Sequence, residues 1–180
     1  MLKIILIALA AIVVLLVIIV ATRPSDFRIT RTGRIAAPIG VAFENVNDLH
    51  KWEAWSPWAK MDPNAKNTYD GPIAGTGASM AWAGNNKVGE GRMTITDCRQ
   101  NERIQFKLEF LKPFKATNTA EFTFKSEGNE TTVTWSMSGK NNFMGKAFGL
   151  LMNCDKMVGG QFEQGLANLN SVSQEALAQK

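Results

Sequence analysis

Arg103-Ile104-Gln105-Phe106-Lys107-Leu108-Glu109-Phe110-Leu111 decides the fold class, because it alternates apolar and polar side chains without a slip. Successive side chains of a strand point to opposite faces. Ile104, Phe106, Leu108 and Phe110 therefore share one face, and Arg103, Gln105, Lys107 and Glu109 the other. A helix of the same sequence would scatter both sets around its axis. The same period runs outward on both sides. Thr117 to Lys125 places Ala120, Phe122 and Phe124 inward, and Thr131 to Ser138 does the same for Val133, Trp135 and Met137. Upstream, Ala78 to Ala83 pairs Met80 with Trp82 on one face, and Val88 to Asp97 pairs Met93 with Ile95. Glu127-Gly128-Asn129-Glu130 and Gly84-Asn85-Asn86 are turn signals. Turns this short join antiparallel strands, since parallel neighbours need a long crossover.

The flanks change period. Phe27 to Ala36 is a half-buried strand with Phe27, Ile29 and Ile35 on its inner face. After Pro38, Val41, Phe43, Val46 and Leu49 form a short helical stripe, followed by the aromatic run Trp52-Glu53-Ala54-Trp55-Ser56-Pro57-Trp58. From Phe143 to Val172, apolar residues including Leu150, Cys154, Val158, Phe162, Leu166 and Leu169 keep helical spacing, with Gly159-Gly160 allowing either a bend or a close approach to the sheet. The expected fold class is α+β: a curved antiparallel sheet gripping one long C-terminal helix.

At the N-terminus, Ile4 to Ala21 carries no polar or charged side chain and is bracketed by Lys3 and Arg23. A helix rising about 1.5 Å per residue crosses an apolar core of about 30 Å with a run of this length. A cleaved signal peptide would have an apolar region of about 7–15 residues and a small-residue cleavage site. Ile19-Val20-Ala21 fits that poorly, so residues 1–23 are read as an uncleaved transmembrane anchor at the cell membrane and residues 24–180 as one domain. Arg23, Arg28, Arg31 and Arg34 after the span favour a cytoplasmic domain by the positive-inside rule. A short N-terminus that stays inside argues for the reverse, and both orientations stand. Setting aside Lys3 and Arg23 leaves 18 basic against 16 acidic residues, too even a balance to suggest a nucleic-acid partner. Cys98 and Cys154 make neither a disulfide framework nor a zinc motif and are expected to be buried thiols.

This order of elements, with the strings Trp52 to Trp58, Asn118-Thr119-Ala120-Glu121-Phe122, Thr134-Trp135-Ser136-Met137, Asp155-Lys156-Met157-Val158-Gly159, Phe162-Glu163 and Gly165-Leu166, resembles the SRPBCC (START-like, helix-grip) superfamily. It resembles in particular the membrane-anchored, polyketide-cyclase-like branch, over about residues 27–175. The resemblance implies an apolar cavity between sheet and helix that takes a lipid, sterol, polyketide or similar molecule. Only some members of that superfamily are enzymes.

The candidate ligand-binding residues follow from the inward faces. They are Met80, Trp82, Met93, Phe106, Leu108 and Phe110, then Asn118, Phe122, Trp135 and Met137, with Leu151, Met157, Val158 and Phe162 closing from the helix and Trp55 at the mouth. Any one of these is more simply a core residue; as a set, with small Ala120 and Gly159 among them, they suggest room. Asn118 and Asp155 are the candidate proton-handling or ligand-orienting groups, an ion pair to Lys156 or Arg92 being the simpler account of Asp155. His50 is the only histidine and is expected at a helix end. Gly75-Thr76-Gly77 and Gly89-Glu90-Gly91 lack the following helix that a phosphate loop requires. Asn129-Glu130-Thr131 fits a glycosylation sequon. No metal site and no cofactor are expected. Three functions fit: a membrane-tethered binder of a hydrophobic or amphipathic small molecule, a cyclase or dehydratase, and an interaction domain with a filled core.

Overall fold

A computed structural model describes residues 1–151 and 153–178, the side chain of Leu151 excepted. Helix α1 (Leu2–Thr22) is long and apolar enough to cross a membrane, and its side chains are exposed save that of Val20. Strand β1 (Asp26–Ile35) follows, then helix α2 (Ile39–Asn47), a 3-10 turn at Leu49–Lys51, and two single-turn helices, α3 (Trp52–Trp55) and α4 (Pro57–Met61). Six strands come next: β2 (Lys66–Asp70), β3 (Ser79–Ala83), β4 (Glu90–Arg99), β5 (Arg103–Lys112), β6 (Ala116–Glu127) and β7 (Glu130–Lys140). Helices α5 (Phe143–Leu151) and α6 (Cys154–Ala178) end the chain.

The sheet is antiparallel and seven-stranded, in the order β1-β7-β6-β5-β4-β3-β2. The meander expected from the alternating runs is present, and β1 joins it by pairing with β7 from Asp26–Lys140 to Ile35–Thr131. Gly128, at φ +70°, takes the first central position of the two-residue β6–β7 turn, a conformation glycine adopts without steric cost. Register irregularities in β4, beside Glu90 and Ile95, add local bend to the sheet.

The register defines two ends. At one, called the anchor end, the rows Asp26–Lys140, Glu90–Lys112 and Lys66–Ala83 close the sheet beside the exit of α1. At the other, Ile35, Ile95, Ile104, Phe122, Phe124 and Val133 pack solidly with Phe43 and Val46 of α2. Burial of each such side chain is worth about 1.5–3 kcal/mol. Helix α6 lies over the concave face and packs on β1, with Phe162, Leu166 and Leu169 buried.

The C-terminal helical segment is not continuous. It breaks before α6, where the Asn153 side chain accepts from the Lys156 N–H at 2.9 Å, so the interruption falls there and not at Gly159-Gly160. Helical periodicity persists across the break because α5 and α6 are each amphipathic, which hides the break from pattern reading. Gly159 serves the close approach, the second expected alternative: a Cβ there would collide with the Arg31 guanidinium. Arg31 donates to Glu163 Oε1 at 2.6 Å and to Asp155 Oδ2 at 3.0 Å, joining β1 to two turns of α6. Cys154, expected in the core, is exposed because it opens α6 at the break, while Cys98 is half-buried.

Candidate functional site

The concave face is filled at one end and hollow at the other. The anchor-end half holds a cavity of about 450 Å³. Its wall on the sheet is laid down in register. Trp82 and Phe110 form the row nearest the anchor end, Met80, Met93 and Leu108 the next, and Phe106, Ala120 and Met137 the row behind. Val158 and Phe162 of α6 close it from above. Trp135 stacks on Phe162 at 4.1 Å and 9° and meets Trp52 and Trp58 edge-on at 6.1 and 5.8 Å. The three cavity methionines are flexible and polarizable, which suits a wall that must adapt to an apolar guest.

Ten of the residues expected at the pocket line this cavity: Met80, Trp82, Met93, Phe106, Leu108, Phe110, Trp135, Met137, Val158 and Phe162. Four expectations need correcting. Trp55, the last residue of α3, is fully buried, its indole N–H donating to the Asn45 carbonyl at 2.9 Å, and it belongs to the packed core. Phe122 has the right parity but stacks against Trp135 at 4.6 Å, outside the hollow half. Met157 points to solvent and is half exposed, while Val158 and Phe162 are the residues of α6 that line the cavity. Asn118 is buried and inward, yet its amide lies against Gly139 and Met137 Sδ and not on the wall. Leu151 lies outside the described side chains.

Asp155 is exposed and held by Arg31, whose hydrogen bond keeps its carboxyl below the ordinary carboxylate value. That is the reverse of a buried, proton-donating carboxyl. Its partner is Arg31 of β1, 124 residues away, and neither Lys156 nor Arg92.

Alternation along strands could not reveal the residues from the helical segment. Trp52 and Trp58 line the cavity because Pro57 ends one single-turn helix and opens the next, so the two indoles turn inward from separate helices. The polar groups on the wall are also unforeseen. Glu53 accepts from the Asn67 amide at 3.1 Å, Asp62 accepts from the Asn85 N–H at 2.6 Å, and Ser56 is buried nearby. With Pro63, these form a polar rim around an apolar interior. His50 is not on this wall; it stacks on Tyr69 at 3.9 Å and is hydrogen-bonded to Asp48. Among the described residues no three His, Cys, Asp or Glu side chains converge as metal ligands.

The family described as polyketide cyclase / dehydrase and lipid transport matches residues 26–174. Solved structures share the fold at low identity. Protein CV1439 from Chromobacterium violaceum is 13% identical, with a TM-score of 0.58 over 84% of this chain and 98% of its own. Protein Ms6760 from Mycobacterium smegmatis is 18% identical, with a TM-score of 0.59 over 83% of this chain and 92% of its own. CalU16 from Micromonospora echinospora is 15% identical, with a TM-score of 0.54 over 88% of this chain and 90% of its own. No curated protein matches.

Proposed function

The chain belongs to the polyketide cyclase / dehydrase and lipid transport family, a helix-grip branch of the SRPBCC superfamily, and on that premise we propose that it binds one hydrophobic or amphipathic small molecule, a lipid or a polyketide-like compound, while tethered to a membrane by residues 1–23. The observation that carries this reading is the unfilled 450 Å³ on one half of the concave face. The cavity is concave, open on one side and mostly apolar with a few polar groups, the form usual for small-molecule sites. The volume falls in the lower part of the about 300–1,000 Å³ usual for ligand sites, which suits one acyl chain or a compact ring system. Glu53, Asp62 and Asn67 at the rim supply acceptors and a donor for a hydroxyl or amide on the outer end of the guest.

Four indoles on the wall, Trp52, Trp58, Trp82 and Trp135, make the site self-reporting. Titration of the full chain in detergent micelles with fatty acids, lysolipids and fused aromatics should shift tryptophan emission saturably. Ala120→Phe, which fills the wall, should abolish the shift without unfolding the sheet. A flat titration for every class would remove the binding reading.

A cyclase or dehydratase reading draws on a different observation, the two carboxylates Glu53 and Asp62 on the cavity wall. They replace Asp155 and Asn118 as the groups able to exchange protons with a guest. Conversion of a polyketide-like substrate lost in Glu53→Gln or Asp62→Asn, with binding kept, would support it. The third reading, a filled core, is at odds with the cavity.

A further inference from the structure

We propose that α5 and the β5–β6 turn form a second membrane contact, an apolar apron that lies on the surface of an anionic bilayer and turns the open end of the cavity toward its acyl chains. This rests on the tethering reading of α1. On the apron, Leu111 is 52% exposed, Phe114 58%, Phe143 47%, Met144 54% and Phe148 43%. These are the large exposed apolar side chains of α5 and the β5–β6 strand end, and elsewhere on the sheet domain such residues are scattered. Monomeric surfaces rarely concentrate large apolar groups in this way without a partner. Phe114 of the turn and Phe148 of α5 meet at 5.8 Å, so the two segments form one surface.

Position names the partner. The Asn141 N–H donates to the Ser25 carbonyl at 2.8 Å, which fixes the start of α5 beside the chain leaving α1. Lys146 Nζ donates to the Ala21 carbonyl at 3.4 Å, and α1 packs against α5. The apron therefore continues the surface of the helix that would enter the bilayer. Its charge agrees: Arg23, Lys115, Lys140 and Lys146 surround it and have no carboxylate partner within 4 Å among the described residues, while Lys112 pairs with Glu90. A short helix with aromatic and long apolar side chains on one face and lysine on another lies in the interfacial plane, and anionic headgroups strengthen it. The same end of the sheet carries Trp82 and Phe110 of the cavity wall. A ligand would then pass between bilayer and cavity with little exposure to water.

The test uses the full chain reconstituted in nanodiscs of mixed phosphatidylcholine and phosphatidylglycerol. Nitroxide labels are placed singly at Ile12→Cys, Phe114→Cys, Met144→Cys and Lys125→Cys in a Cys98→Ser, Cys154→Ser background, and collision with oxygen is compared with collision by a water-soluble nickel chelate. Lys125 stands at the opposite end of the sheet. The expected result is that Ile12, Phe114 and Met144 report lipid and Lys125 reports water, with the oxygen-to-nickel ratio several-fold higher at the apron than at Lys125. Ile12 in lipid with Phe114 and Met144 in water would overturn the apron and leave the tether standing. Ile12 in water would overturn both. Circular dichroism of each labelled chain shows whether it is folded, and Leu111→Cys replaces either apron site that is not.

Discussion

Trp135 and Met137 are neighbours on one inner face of β7, yet they should respond differently to truncation. Trp135 stacks with both Phe162 and Phe122, and Trp135→Ala should cost about 3–5 kcal/mol, the range for losing a large aromatic from a core. Met137 borders space that is already empty, so Met137→Ala should sit near the lower end of the about 2–5 kcal/mol expected for methionine, with its larger effect on ligand size. Urea unfolding of both variants checks the order; equal losses would mean that Met137 is packed core. Gly165 is constrained in the opposite sense, because a Cβ there would lie 2.7 Å from Trp135 Cζ3 and 3.2 Å from Pro57 Cδ. Gly165→Ala should cost about 1–3 kcal/mol by overpacking, read as a lowered urea midpoint. Alternation reveals which side of a strand a residue occupies and not how far along the sheet the helix covers it. Phe106 and Phe122 were therefore indistinguishable in the sequence, although one lines the cavity and the other fills the solid half. The depth of Trp55 was likewise not legible, because which indole of Trp52, Trp55 and Trp58 turns to the cavity is set by the two single-turn helices on either side of Ser56.

At the scale of elements, α6 is held to β1 by Arg31, which bridges Asp155 and Glu163. The hydrogen bond from Arg31 lowers the Asp155 carboxyl below its ordinary value, so the contact is complete at neutral pH. It is lost as pH falls through that depressed value, because the unfolded chain then binds the proton more readily than the folded one. Both partners are solvent-accessible, so the effect is local to the first turns of α6. Hydrogen exchange over residues 154–160, corrected for the intrinsic pH dependence, should show protection falling in acid in the native chain. In Asp155→Asn that acid step should be reduced. An unchanged acid step in the variant would assign it to another carboxylate. No periodicity in the sequence could have paired Arg31 with a residue 124 positions away, whereas both helical stripes and six of the seven sheet strands, all but β2, were legible from local alternation. The break between α5 and α6 was not, since an amphipathic pattern continues through it.

At the scale of the molecule, the chain is asymmetric along one direction. Solid core lies at one end of the sheet; cavity, polar rim, apolar apron and the exit of α1 lie at the other. The family match begins at residue 26, just beyond α1. A chain lacking residues 1–23 should fold and still bind anionic vesicles peripherally, with binding weakened by salt as Debye screening reduces the lysine contribution. Sedimentation with vesicles at low and high ionic strength checks this. The central claim is that the cavity takes a guest, and native mass spectrometry of the full chain released from detergent micelles tests it most directly. Incubation with fatty acids, phospholipids and polyketide-like aromatics should give a one-to-one adduct with at least one class, lost in Ala120→Phe. No adduct with any class, together with an experimental structure in which side chains fill the anchor-end half of the concave face, would contradict it.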